Sequence, residues 1–516
     1  MKRPAASMSW PLVLLVLSVI GALVYSNIFQ ASFNFDDRTV IVDDPTIRTV
    51  DLGALWNAFN TRFLVGLSLA VNYAIGKLDV SGYHLFNVLV HIFAAFLVYC
   101  LTDLTFQTSG VVRSSRAPHG RRAALFASLV FLTHPLQTQA VTFTWQRSAS
   151  MATLFYLAAM AFYVHSRLKD SALAYGGSLL MTVAAMLTKE ISFTLPMAIL
   201  LYEWFFFEGS PRKVFSQVWP LLLCLFIIPV LLLRQSQITM DFMRPNSGDM
   251  MRWVSEEAMP RSVYLLTQLN VLRTYIRLLF FPVRQNLDYD YALAHSFGEP
   301  GVLLSSLLLL GLLAAGIWLY RRHRLMSFCI FWFFLLLSIE SWVVQNDVIF
   351  EHRLYLPMAA FSIFVSAALW KVLKSERRYM VCFCAIVLVL SSMAYRRNAV
   401  WHDAVTLWTD VIQKSPGKAR GYANLASFYT EQGKFDQAVR YNRLAIERAP
   451  LPAHDYFFCP AFRLAFFGDF FAAFLAFLAA FFAGLAFFAA FFAGFAFFAA
   501  ALGAPPPEDF RGVAGT

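Results

Sequence analysis

The chain has 516 residues, of which 59% are hydrophobic and 14% charged, with a formal net charge of +11. That balance excludes a soluble globular domain and indicates a multispanning membrane protein. The positive charge is not a nucleic-acid signal, because most basic residues sit in short clusters between apolar runs, and the six cysteines show neither metal-ligand spacing nor a disulfide framework.

A spanning helix needs roughly 20 mostly apolar residues. By that rule eleven spans are expected, at about 10–27, 82–105, 123–140, 149–166, 173–188, 192–207, 217–233, 301–320, 325–346, 354–374 and 379–395. The first lacks a small-residue cleavage site before the Phe-rich loop that follows, so it reads as a retained span. The connections alternate in charge. Lys2 and Arg3, the Arg113–Arg122 cluster, Arg167 with Lys169, Arg212 with Lys213, Arg321–Arg324 and Lys371–Arg378 fall on one side, which the positive-inside rule makes cytoplasmic. The loop 28–81, the segment 235–300 and everything beyond the last span are then external, against the mild counter-signal of Arg396 and Arg397. An apolar stretch at 263–282 carries Arg273 and Arg277, and a span there would break the alternation; it reads as an interfacial or re-entrant helix on the outer side.

The external C-terminal part changes character. In GYANLASFYTEQGKFDQAVRYNRLAIERAP, the placement of Ala426, Gly433, Phe435, Ala438, Tyr441, Ala445 and Pro450 is that of a tetratricopeptide repeat, and Pro416 and Pro450 lie 34 residues apart, the period of that repeat. The preceding AVTLWTDVIQKSP fits only the second helix of an earlier unit. Such arrays need about three units to bury their faces, so this one is expected to lean on the membrane domain or on a lost continuation. From Phe470 to Pro507 there is no charge, and FFAGLAFFAA at 481–490 repeats as FFAGFAFFAA at 491–500 with one change. That composition reads as a further apolar helix, a low-complexity tail or, preferred because the repeat stops abruptly, the product of a reading-frame change. The expected architecture is an all-α polytopic membrane helix bundle at 1–397, a short repeat segment at 398–450 and an anomalous tail at 451–516.

The chemistry-bearing candidates lie at the outer ends of spans, where charge is expensive to place. Two adjacent carboxylates, Asp36 and Asp37 in FNFDDRTVIVDD, stand just beyond the first span. Arg147, Lys189 and Arg353 are cations on the outer side, able to neutralise a phosphate, or to pair locally, Lys189 with Glu190 and Arg353 with Glu351. His84, Asn87 and His91 share a helix face, and His134 precedes Pro135; interhelical polar bonding is the first reading for these and sugar ligation the second. Asp288 and Asp290, interleaved with Tyr289 and Tyr291, form either a sugar or acceptor platform or an interfacial aromatic belt.

Taken in order, the acidic pair, RFLVGLSLAVNYAIG, GYHLFNVLVH, HPLQTQAV with a following QR, LTKE, LNVLRTYIRLLFFP with NLDYDY, EHRLYLP and the repeat resemble the transmembrane and tetratricopeptide-repeat O-mannosyltransferases of the GT-C glycosyltransferase class. The resemblance covers about residues 10–450 and is closer still to bacterial multispanning relatives of that family. It implies a membrane glycosyltransferase that moves a sugar from a polyprenyl- or dolichyl-phosphate donor to a protein or cell-envelope hydroxyl on the non-cytoplasmic face. The membrane would be the bacterial inner membrane with a periplasmic repeat, or the endoplasmic reticulum with a luminal one. Asp36 is then expected to be the base and Asp37 to orient the acceptor or a metal. Arg147, Lys189 and Arg353 are expected on the donor phosphate, and Asp288, Tyr289, Asp290 and His352 on the sugar or acceptor. No cofactor is required by the residues, and a divalent metal is left open. Expected partners are the lipid-linked sugar, membrane lipid and a protein acceptor met through the repeat, with no nucleic acid. Two other classes compete. A non-catalytic scaffold would not need eleven spans or an acidic pair, and a lipid-linked sugar transporter would place ionisable residues at mid-span and show an inverted repeat.

Overall fold

The computed structural model describes residues 9–112, 120–207, 209–234, 259–343 and 347–448. The anomalous tail at 451–516 lies outside the described residues, as do Pro450, Arg113, Arg116 and all of 235–258. Among the described residues every regular element is a helix or helical turn.

Helix α1 (Trp10–Val24) starts at Pro11, tolerated in the first turn, and buries Val13, Leu17, Gly21 and Val24 on one stripe. Gly21 is where it meets α4 (Val80–Thr105): a Cβ there would stand 2.8 Å from Ile92 Cγ1. Between them the loop 28–81 folds into α2 (Leu52–Phe59), capped by Asp51, and α3 (Phe63–Gly76). With 14 residues, α3 is too short to cross a bilayer of about 30 Å at 1.5 Å per residue. Helix α5 (Gly120–Thr133) ends before the expected limit of 140. Pro135 forces His134 into extended backbone, and two short helical turns carry the chain to α6 (Arg147–Lys169).

The remaining membrane helices are α7 (Ala172–Met186), α8 (Leu195–Phe206) and α9 (Pro211–Leu223), followed by α10 (Arg261–Phe280), α11 (Pro300–Tyr320), α12 (Arg324–Trp342), α13 (Pro357–Leu373) and α14 (Glu376–Ala399). Each of the eleven expected spans falls on one of these helices. Six segments are long and apolar enough to cross a membrane: Val80–Thr105, Thr144–Lys169, Arg212–Arg234, Pro300–Tyr320, Arg324–Trp342 and Glu376–Ala399. Three shorter apolar helices are α1, α7 and α13. Their burial sorts them. The apolar windows of α4 and Thr144–Lys169 are 67% and 78% buried, at the centre of the bundle, while those of α11 and α14 are 28% and 17% buried and present apolar flanks outward. The protein is an integral, multi-pass membrane protein. The 263–282 stretch is α10, outside the set of span-grade helices, and is tied to the bundle by Tyr264 and Gln268, which donate to the Glu340 and Val348 carbonyls.

The buried histidines and Asn87 hold helices together. His91 contacts the hydroxyls of Tyr25 (3.3 Å) and Tyr355 (2.7 Å) and the Leu132 carbonyl (3.0 Å). His84 reaches the Ala31 carbonyl, Asn87 donates to that of Val141, and His134 reaches that of Leu279. The polar-bonding reading holds for all four.

Beyond α14 come α15 (Ala404–Lys414), α16 (Ala419–Glu431) and α17 (Phe435–Arg448). Gly433, at φ +68, makes the turn between the last two, a left-handed position that suits glycine. Leu407, Trp408, Val411 and Leu425 share one apolar cluster with Trp401, Phe143 and Leu287. Helices α15 and α16 therefore bury apolar side chains against Phe143 and Leu287 of the membrane domain.

Candidate active site

The two adjacent aspartates have opposite fates. Asp37 is buried, and its carboxylate accepts the amide N–H groups of Asn34 (3.2 Å), Thr144 (3.3 Å) and Trp145 (2.6 Å). It pins the first external loop to the turn that leads into α6. That role corrects the expectation that Asp37 orients an acceptor or a metal: both oxygens face N–H donors. Asp36 is half-buried and makes no hydrogen bond with the described residues. Burial pushes its pKa up to about 6, with Arg420 and Arg62 opposing the rise and Asp347 adding to it. Phe35 precedes the pair at φ +53, an uncommon conformation for a bulky residue, and its ring is held by Trp408 (5.6 Å) and Phe143 (6.1 Å). The clamp on Asp37 and the seat of Phe35 together leave Asp36 open.

Lys189 is buried; its backbone bonds to Ala185 and Ser192, while its ammonium makes no hydrogen bond with the described residues. Burial lowers its pKa to about 8; Glu340 and Glu190 oppose that, while Arg62 and Arg353 reinforce it. The local pairing expected for it does not form. Glu190 instead accepts from Thr61 (3.0 Å) and Arg62 (3.3 Å). Arg62 also lies over Trp145, 5.6 Å from the ring, and so stands between the Asp37 clamp and Lys189. Its charge reaches both Asp36 and Lys189.

Arg353 pairs with Glu340 (3.4 Å), not with Glu351, and donates to the carbonyls of Val348 (3.0 Å) and Asp347 (2.8 Å). Its neighbour His352 is buried, with Nδ1 unpartnered and its amide donating to Gln139 Oε1 (2.6 Å). Burial, Lys189, Arg353 and Arg62 all keep that imidazole neutral, far below its ordinary pKa. Lys189, Arg62, Arg353 and His352 thus gather, with Asp36 reached through Arg62.

Arg147 does not join them. It is fully buried, donates to Asn72 (2.7 Å), Ser68 (3.3 Å) and the Tyr83 carbonyl (3.2 Å), and stacks on Phe86 at 4.6 Å. Its guanidinium ties α3 and α4 to the start of α6. The NLDYDY segment also serves a different end from a sugar platform. Asp288 is buried and paired with Lys418 and Arg420, the Tyr289 hydroxyl donates to Glu351 (2.6 Å), and the Asp290 amide donates to Ser415 (2.9 Å). Together they dock the repeat. Glu351, which also accepts from Gln285 and the Asn286 amide, anchors that loop.

Three charged residues of the site escaped the sequence reading: Arg62, Asp347 and Arg420. Arg62 opens the apolar RFLVGLSLAVNYAIG run on the outer side, a signal of the kind used for Lys189. Asp347 in QNDVIF had the same signal more weakly. Arg420 reads as an ordinary exposed residue of a repeat. Among the described residues no group of three or more His, Cys, Asp or Glu side chains gathers as metal ligands would.

No family model matches the chain. Protein O-mannosyl-transferase TMTC3 of Mus musculus is 22% identical over 483 residues, covering 84% of this chain and 51% of that protein. Protein O-mannosyl-transferase Tmtc3 of Drosophila melanogaster is 24% identical over 516 residues, covering 84% of this chain and 54% of that protein. The chain spans about half the length of these curated relatives. Among solved structures, ArnT from Cupriavidus metallidurans bound to undecaprenyl phosphate superposes with a TM-score of 0.43 at 13% identity, over 91% of this chain and 78% of that one. A likeness so loose carries no argument. The sequence matches extend over most of the chain and agree with the ordered motifs: the chain is similar in sequence to proteins named as protein O-mannosyl-transferases.

Proposed function

We propose that the chain is a GT-C-type membrane glycosyltransferase that moves a sugar from a polyprenyl- or dolichyl-phosphate donor to a hydroxyl of a protein or cell-envelope acceptor. The observation that supports this reading best is the open Asp36 carboxylate beside Arg62, with the unpaired Lys189 ammonium and Arg353 beyond it. The names of the relatives make mannose the first sugar to try.

The chemistry needs two things of the protein. A base must take the proton of the acceptor hydroxyl, and cations must receive charge on the departing lipid phosphate. Asp36 is the base. As it takes the proton, the acceptor oxygen bonds to the anomeric carbon, and the bond from that carbon to the phosphate oxygen breaks. The lipid phosphate leaves with the electron pair, facing Lys189, Arg62 and Arg353. One displacement inverts the anomeric centre. Asp37 positions the loop that carries the base, Arg147 holds the helices behind it, and His352 is a neutral partner for a sugar hydroxyl.

Lys189→Gln tests the donor half. Hydrogen bonds involving charged groups contribute about 1.5–3 kcal/mol, so kcat/KM for the lipid-phosphate sugar should fall by roughly 10- to 150-fold. Kinetics with varied donor at saturating acceptor measure it, and an unchanged kcat/KM removes Lys189 from the donor site.

The face follows from charge: the site and the repeat are proposed to be non-cytoplasmic, as in the periplasm or a luminal compartment. In a cysteine-free background expressed in a bacterial inner membrane, Ser427→Cys on α16 should react with a membrane-impermeant maleimide in intact cells. Ser210→Cys, beside Arg212 and Lys213, should react only after permeabilisation. The reverse pattern would invert the topology.

A further inference from the structure

The first full helix of the repeat segment, α16, touches the acidic loop. Arg420, near the start of α16, pairs with Asp347 (3.1 Å) and Asp288 (3.5 Å). Lys418 pairs with the same two carboxylates, at 3.4 Å to Asp347. The Arg420 guanidinium also lies 5.8 Å from the centre of the Phe35 ring, the residue immediately before Asp36. Arg38, two residues after Asp36, pairs with Glu431 at the other end of α16. The acidic loop is thus held at both flanks by one repeat helix, and Phe35 is packed from behind by Trp408 of α15.

We propose that the repeat segment is a working part of the catalytic site in cis, with Arg420 the positioning residue that holds the Asp36 loop against the membrane domain. The proposal rests on Asp36 being the base of the reaction described above. Two roles follow from the contacts. Arg420 ties Asp288 of one external segment and Asp347 of another to the Phe35 turn, so the base keeps its place between them. It also sets the charge around Asp36. The groups facing Asp36 are Arg420 and Arg62, which favour its ionised form, and Asp347, which opposes it; the neighbouring Asp37 is pushed up to about 8 by burial, so it is largely protonated where Asp36 titrates. Arg420 is the largest of the favourable charges, so its removal raises the pKa of Asp36.

The test follows the titration of Asp36 directly, with no need for turnover. Full-length protein in detergent is treated with a hydrophobic carbodiimide, which reacts with protonated carboxyl groups, across a pH series, and labelling of the Asp36 peptide is read by mass spectrometry. Arg420→Gln should move the midpoint up by about 1 pH unit, because an adjacent opposite charge is worth about that much or more. Arg420→Lys, which keeps the charge, should restore the midpoint to near that of the parent. Arg38→Gln, at the other flank of the loop, controls for general loosening and should leave the midpoint unmoved. In the transfer assay the acid limb of the rate profile should shift in the same sense in Arg420→Gln, with the donor KM unchanged. A midpoint that stays put in Arg420→Gln overturns the inference, as does an equal shift in Arg420→Lys or Arg38→Gln. A midpoint that shifts as expected in a chain whose parent transfers no sugar would leave the cis contact standing and count against the proposed reaction instead.

Discussion

Asp36→Asn should lower glycosyl transfer by about 10²–10⁴-fold, the range that a positioned general base contributes. The amide fills the same volume and cannot take a proton. Because Asp36 is half-buried and its carboxylate makes no hydrogen bond with the described residues, the substitution leaves no protein donor unsatisfied, and expression and thermal stability should match the parent. The parent's rate should carry the signature of this carboxyl. Its pKa is raised to about 6, so the group is protonated and inactive below that pH and ionised above it. The rate should rise about tenfold per pH unit on the acid side, then flatten above about 6. The residual rate of Asp36→Asn should lack that limb. A variant as fast as the parent, or one retaining the limb, would show that another group takes the proton.

Asp37→Ala should behave in the opposite way, by damaging the fold. Three backbone N–H groups, from Asn34, Thr144 and Trp145, lose their acceptor at a buried point. An orphaned buried donor costs about 1–3 kcal/mol. The sum is enough to free the first external loop from the turn before α6 and to lower the melting temperature in detergent by several degrees. Asp37→Asn should be intermediate, since one side of the amide accepts and the other places an N–H against an N–H. Equal stability of Asp37→Ala and the parent would mean that the clamp contributes nothing. Activity loss in the Asp37 variants should track the loss of folded protein; in Asp36→Asn it should not.

Much of this was legible in the residues and some was not, for identifiable reasons. The helices of the membrane domain could be read because apolar runs bounded by basic clusters favour helix, and six of the segments are long and apolar enough to cross a membrane. The limit of α5 was read too far because the apolar run continues past Pro135, whereas the ring of that proline ends the helix at Thr133. The acidic pair was visible, but its division of labour was not. Which carboxylate is clamped depends on amides at Thr144 and Trp145, more than a hundred residues away, and on the φ of Phe35. Lys189 stood out as a candidate because a lysine at the end of a span is costly to place, and its ammonium is buried without a hydrogen bond to the described residues. Arg147 carried the same signal and is spent on Asn72, Ser68 and Tyr83, contacts that no local pattern predicts. Asp288 and Tyr289 looked like a ligand platform because acidic and aromatic residues alternate there, and that alternation equally suits a salt-bridged dock for the repeat.

The most direct measurement of the central claim is sugar transfer by purified parent protein from mannosyl-phosphoryl polyprenol to a hydroxyl-bearing acceptor peptide. It is followed by peptide mass and by release of free polyprenyl phosphate. The account predicts one lipid phosphate released per sugar added, inversion at the anomeric carbon, and loss of both products together in Asp36→Asn. Transfer that survives unchanged in Asp36→Asn, or a product that retains the donor's anomeric configuration, would contradict it.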